Sequence, residues 1–353
     1  MLQYSLFTED LEHVLDHTRD AWEDLRGERI FITGGTGFFG MWLVESFLWA
    51  NERLDLGAQA VVLSRDPRAF CQKQPHLANI AALSFHQGDV RNFVFPDGYF
   101  AFVIHAATEA SALLNTNQPL LMLDTIIEGT RRTLEFARHC GAGRFLLTSS
   151  GAIYGRQPPE MTHIDEDYPG APDPMDPNSC YALAKRVAEH QAVLYARRYG
   201  IDAKIARCFA FVGPYLPLDA HFAIGNFIRD ALLGGPIQLN GDGTPYRSYL
   251  YAADLAVWLW TILFRGQSCR PYNVGSDRAL SIMEAAREAA QLSMNLSEVR
   301  VAKLPDLNAP AQRYVPCIDR AKQELGLDEI ISFPAALRRT FSWHQHVESS
   351  LVS

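Results

Sequence analysis

Six short apolar runs set the strongest limit on what this chain can fold into. They are "RIFITGG", "AVVLSRD", "LSFHQGD", "FAFVIHAAT", "RFLLTSS" and "DAKIARC", and longer segments of helical periodicity separate them. Strands buried on both faces and joined by helices build a parallel sheet covered on both sides. The expected fold class is α/β, a doubly wound parallel sheet. With 353 residues, 48% of them hydrophobic, the chain can bury such a core and still form a smaller lobe. After about residue 206 the strand–helix rhythm breaks, and it returns near 253–264 and "PYNVGS" (271–276). The expected organisation is an N-terminal helical extension over 1–28 and a main domain over 29–205 with a return segment at about 250–275. A C-terminal substrate-binding lobe would take 206–249 and 276–353.

Charge and cysteine usage narrow the partners. A net charge of -8 gives no electrostatic reason to expect nucleic acid, so an anionic small substrate needs a local basic site. The cysteines at 71, 140, 180, 208, 269 and 317 have no CxxC spacing, and no His/Cys cluster suggests a metal. Reduced thiols in a cytoplasmic protein are the expectation. The acidic N-terminus lacks a signal-peptide core, and "LAVWLWTILF" at 255–264 is too short to span a bilayer and reads as a buried helix. Leu11, Val14, Leu15, Trp22 and Leu25 recur at helical spacing, which predicts an amphipathic helix over 9–26. It packs on the main domain or receives a partner. Proline- and glycine-rich stretches at 167–179 and 213–226 read as loops over the carboxyl edge of the sheet, where ligands bind in doubly wound folds.

"RIFITGGTGFFGMWLVESF" places Gly34, Gly37 and Gly40 between a strand and a helix. Gly34 permits the tight turn, Gly37 lets the backbone approach a pyrophosphate, and Gly40 lets the helix pack close to the strand. The N-terminus of the helix that follows offers unpaired N–H groups to phosphates, with Phe38 and Phe39 among the candidate cofactor contacts. The second strand ends in Ser64 and Arg65, where an acid would be expected for NAD; an arginine can pair with a 2′-phosphate, so NADP is favoured slightly over NAD. Asp89, followed by Val90, is placed to accept from an adenine amine. Ala106 and Ala107, after the fourth strand, complete the candidate contacts with the dinucleotide.

"NSCYALAKRVAEH" puts Tyr181 and Lys185 on one helical face. A phenol is a poor base at neutral pH, but a neighbouring ammonium and an oxidised nicotinamide both favour the phenolate. Tyr181 could then take a hydroxyl proton while hydride leaves for the cofactor, with Lys185 also holding the nicotinamide ribose.

"TGGTGFFG", "GDV", "VIHAAT", "LLTSSGAIYG" and "YALAK" occur in the order seen in the extended short-chain dehydrogenase/reductases. More narrowly, the chain resembles the NAD(P)-dependent nucleotide-sugar epimerase/dehydratase family from about residue 29 to about 328. That resemblance implies a Rossmann-type domain, a smaller nucleotide-sugar lobe, and usually a homodimer through two helices, here about 118–140 and 180–199. By the same resemblance Ser150, Tyr181 and Lys185 match the catalytic residues, and Thr108 lines the site. Arg247 in "GDGTPYRSYLYAADLA" and Arg313 in "QRYVPCIDRAKQELGL" match the arginines that grip a substrate diphosphate. Asn226 and Phe227 in "GNFIRDAL" match the nucleotide-facing helix. Planar guanidinium forks suit a diphosphate.

Two departures bear on the reaction. The family's 4,6-dehydratases carry an Asp-Glu pair after the catalytic hydroxyl, and UDP-glucuronate decarboxylases, also similar here, usually have a Glu at the second position. This chain has Gly151 and Ala152, which cannot move a proton. The second departure is Ala210 in "RCFAFVGP", where the family commonly has an asparagine that contacts substrate. The residues leave several readings open. They are a 4-epimerase working through a 4-keto intermediate, a 4-ketosugar reductase using NADPH, and a dehydratase or decarboxylase with an acid relocated to Glu109 or Glu166. A dinucleotide-binding sensor without turnover is the non-enzymatic alternative.

Overall fold

A computed structural model describes residues 4–108, 112–220, 222–293, 297–306 and 308–352. The chain divides into two compact units. The first comprises Met1–Ile153, Pro172–Cys208 and Ala256–Tyr272, and the second comprises Tyr154–Ala171, Phe209–Leu255 and Asn273–Ser353.

Each apolar run read from the sequence forms a strand of the first unit. These are β1 (Arg29–Thr33), β2 (Gln59–Ser64), β3 (Leu83–Gln87), β4 (Phe102–His105), β5 (Arg144–Ser150) and β6 (Asp202–Cys208). With a closing strand at Pro271–Val274, the seven-stranded sheet runs closing strand, β6, β5, β4, β1, β2, β3. The β1 pairings with β2 and β4, and those of β2 with β3, β4 with β5 and β5 with β6, are all parallel. The order reverses between β1 and β4, so the crevice beyond their carboxyl ends is the switch point where ligands bind in such sheets. Phe31, Phe93, Phe100, Phe136 and Phe145 are fully or almost fully buried in one core cluster of this unit.

Helices connect the strands. In chain order they are α1 (Thr8–Thr18), α2 (Phe38–Arg53), α3 (Pro67–Lys73), α4 (Ala112–Asn117), α5 (Pro119–His139) and α6 (Cys180–Tyr199). The N-terminal helix predicted over 9–26 is α1 followed by a 3₁₀ segment, Arg19–Leu25. Thr18 donates from Oγ1 to the Val14 carbonyl and accepts from Trp22 Nε1, which pins the tightened turn. All five of its apolar positions are buried, and the Trp22 ring lies 4.6 Å from that of Trp260. The extension is thus part of the first unit.

In the second unit the division departs from the expected boundaries. Residues 154–171 belong to it because Ile164 bridges to Pro316 and Glu166 accepts from the Asn273 backbone N–H. Its helices include α7 (Ala223–Leu232) and the start of α8 (Ala252–Arg265), inside which the division falls. The run at 255–264 is buried in α8, and among the described residues no helix is long and apolar enough to cross a membrane.

Candidate active site

The glycine turn closes on itself around Gly34. This residue has φ +74, and Gly37 N–H donates to its carbonyl at 3.1 Å. A side chain at Gly34 would sit 2.6 Å from the Ala107 nitrogen, in the backbone that leaves β4. A side chain at Gly40 would run into the Gly34 and Gly35 backbone, so only glycine lets α2 start so close to β1. Gly37 is the N-cap of α2 and contributes no side-chain cap. Phe38 and Phe39 open the helix, whose N-terminus carries the positive end of its dipole. Helix α2 runs for 16 residues, and its N-terminus beside the switch point fits a dinucleotide pyrophosphate.

At the tip of β2, Ser64 is buried and Arg65 is exposed. Asp66 turns away to cap α3, accepting from Ala69 N–H at 2.9 Å. Asp89, the expected adenine acceptor, is also engaged within the chain. Both its oxygens accept from Arg91 at 2.8 Å, and the Arg91 guanidinium holds its carboxyl below the usual range, with Arg65 adding to the effect. Val90, Ala106, Ala107 and Thr108 are half-buried along the same edge. Just beneath, His105 is bonded to Thr33 Oγ1 at 2.8 Å and Thr130 Oγ1 at 3.0 Å, and burial pushes it down to about 3. It is a neutral strut between β1, β4 and α5.

Tyr181 and Lys185 stand on the first turns of α6. Asn115 fixes this helix start by accepting from Tyr181 N–H and donating to the Asn178 carbonyl. Ser150 ends β5, and its Oγ accepts from Ala152 N–H at 3.1 Å. Burial pushes the Tyr181 phenol up to about 12, and a hydrogen bond from Ser150 pulls the other way. Lys185 is buried, and its ammonium donates to Thr108 Oγ1 at 2.8 Å and the Thr148 carbonyl at 2.7 Å. Burial pushes it down to about 8, opposed by Cys208 and Glu189. The expectation from the sequence is that the ammonium of Lys185 favours the Tyr181 phenolate through its charge. Its Nζ is 5.9 Å from the ring centroid, its hydrogen bonds go to β5 and Thr108, and Ser150 is the group bonded to the phenol.

One turn further along α6, Glu189 accepts from Ser149 Oγ at 2.5 Å and pairs with Arg207 at 2.8 Å. Sequence reading missed this buried network. The i, i+4, i+8 spacing of Tyr181, Lys185 and Glu189 was its only local signal.

Arginines gather in the second unit. Strand Tyr246–Arg247 pairs in parallel with Arg313–Tyr314, which brings Arg247 and Arg313 to one cavity of about 300 Å³. Arg313 lies over the Tyr246 ring at 4.2 Å, and Arg247 donates to the Tyr246 carbonyl at 2.8 Å. Arg156, Gln157, Gln312 and Tyr314 complete the lining. Arg156 was not anticipated from the sequence. The proposed nucleotide helix is α7, where Asn226 is half-buried but the Phe227 side chain lies in the core at 2% exposure. Only the backbone of Phe227 can meet a ligand. Of the two proposed relocated acids, Glu166 has partners of its own in the second unit. Glu166 is held by Asn273 N–H and lies 3.8 Å from Arg320, and Glu109 lies outside the described residues.

Comparison with known proteins agrees with this geometry. UDP-glucuronic acid decarboxylase 6 of Arabidopsis thaliana is 32% identical over 301 residues, covering 84% of this chain and 83% of its own. The structure of a dTDP-glucose 4,6-dehydratase from Streptomyces venezuelae, solved with NAD bound, is 26% identical with a TM-score of 0.75, covering 91% of this chain and 98% of the other. A UDP-glucose 4-epimerase from Thermotoga maritima, at 22% identity, shares the fold with a TM-score of 0.75 and covers 91% and 99% of the two chains. A model of the NAD dependent epimerase/dehydratase family matches residues 30–275, and the chain belongs to that family.

Proposed function

We propose that this protein oxidises C4 of a nucleotide-diphosphate sugar to a ketone, lets the ketone direct a second change, and then reduces it again. The observation that carries this reading is Ser150 at the end of β5 beside Tyr181 at the start of α6, on the edge that bears the glycine turn, with Gly151 and Ala152 where a proton-moving carboxylate would stand. A bound dinucleotide supplies the hydride acceptor and, in its oxidised form, a positive charge that favours the phenolate. Tyr181 takes the C4 hydroxyl proton and later returns it, while Ser150 donates to the reacting oxygen. Lys185 fixes Thr108 and the end of β5 and offers its remaining donor to a ribose hydroxyl. Arg247 and Arg313 hold the diphosphate.

Dehydration needs an acid for the leaving hydroxyl and a base for the neighbouring carbon, and Gly151 and Ala152 after Ser150 supply neither. Decarboxylation is different. In a 4-keto uronic acid the carboxylate is β to the ketone, so the C5–C6 bond breaks as CO2 leaves and its electron pair passes into the C4 enolate. Protonation at C5 then restores the ketone, and no carboxylate base is required. Together with the decarboxylase relatives, this supports decarboxylation of a nucleotide-diphosphate uronic acid. Epimerisation at C4 is the second reading, favoured by Ala152, where the decarboxylases usually have a Glu.

The test is to incubate the purified protein with UDP-glucuronic acid, UDP-glucose and UDP-galactose, following CO2 release and sugar configuration by mass and NMR. The dinucleotide released on denaturation is identified at the same time. CO2 with a UDP-pentose supports the first reading, and interconversion of the hexoses supports the second. An empty cofactor site with stoichiometric NADPH consumption overturns both in favour of a reductase. Tyr181→Phe is expected to lower turnover by about a hundred- to ten-thousandfold while retaining the dinucleotide.

A further inference from the structure

The cavity in the second unit carries more positive charge than a diphosphate needs. Arg156, Arg247 and Arg313 all line it, and none of the other lining residues, Gln157, Gln312 and Tyr314, is acidic. A sugar diphosphate diester brings two negative charges, which Arg247 and Arg313 suffice to meet. The chain that carries the third arginine is held at the next residue. Gln157, buried at 5% exposure, accepts from Val315 N–H at 3.0 Å and donates to the Met161 carbonyl at 2.8 Å. Its neighbour Arg156 is thereby fixed beside the segment that carries Arg313, with its side chain exposed to a ligand. Like charges gathered without a counter-ion cost free energy, and an anion that enters recovers it.

Resting on the reading of the site as one for nucleotide-diphosphate sugars, we propose that Arg156 is a specificity residue that pairs with a third negative charge on the substrate, the carboxylate of a uronic acid. A guanidinium and a carboxylate match as planar forks, and a neutral hydroxymethyl group offers no such partner. Charge-assisted hydrogen bonds of this kind change affinity by about ten- to a hundredfold.

The experiment measures binding of UDP-glucuronic acid and UDP-glucose by calorimetry to the full chain, in a Tyr181→Phe background that stops turnover. The measurements are repeated after adding Arg156→Ala, then Arg156→Lys. The expected result is a preference for the uronic acid of about ten- to a hundredfold, which collapses in Arg156→Ala and returns in part in Arg156→Lys. Equal affinity for the two sugars before Arg156 is changed overturns the proposal. So does an Arg156→Ala variant that weakens both sugars alike, since Arg156 would then be reading the diphosphate. Failure of both sugars to bind overturns the underlying substrate reading as well, and that outcome is distinct from the other two.

Discussion

At the scale of single residues, the chemistry turns on how burial treats two ionisable groups. The phenol of Tyr181 is pushed up to about 12 and the ammonium of Lys185 down to about 8, both because the charged form loses solvation. Lys185 therefore loses its proton as pH rises through about 8, and turnover that needs the ammonium falls over the same range. Glu189 opposes that loss, so Glu189→Gln is expected to lower the Lys185 value further and move the alkaline limb of kcat/KM to lower pH. Glu189→Asp, which keeps the charge, should move it back. A pH–rate profile checks this, and an unchanged limb in Glu189→Gln would show that the Glu189–Arg207 pair only braces the fold. The motif residues were legible because their chemistry is local: glycine where φ is positive, tyrosine and lysine four apart. Arg156 was not, because nothing in "YGRQPP" marks it, and only the Gln157–Val315 contact sets it beside Arg313.

At the scale of elements, α1 and the following 3₁₀ turn show how an amphipathic extension becomes core. Trp22 is fully buried against Trp260 and Phe264 of α8, and Asp24 pairs with both Arg144 and Arg265. The carboxyl of Asp24 is lowered despite burial, since two guanidinium groups bond to it. Trp22→Ala removes a large ring from a filled space and is expected to cost about 3–5 kcal/mol. A urea titration reads this as a lower midpoint with little change in slope. A loss below about 1 kcal/mol would mean that the extension folds independently of the sheet.

At the scale of the whole molecule, α5 and α6 leave Leu120, Val187, Leu194 and Tyr199 exposed at 41–74%. Family resemblance makes these helices the expected dimer contact. Light scattering should give twice the chain mass for the unmodified protein and the single-chain mass for Leu194→Glu. Unchanged mass in that variant would move the contact elsewhere. The expectation of such an assembly comes only from resemblance, because exposed apolar residues occur singly on many surfaces.

The sequence by itself determined the sheet. Apolar runs bounded by turns can be satisfied only as buried parallel strands, and the glycine turn and the Tyr–Lys spacing follow from local geometry. Tertiary structure alone decided what those pieces meet. It drew residues 154–171 into the second unit, committed Glu166 to Asn273, buried the ring of Phe227 and paired Asp89 with Arg91. The physical reason is that strand and helix periodicity are set by neighbours in sequence. The charge state and partner of a side chain are set instead by neighbours in space, and those come from every part of the chain.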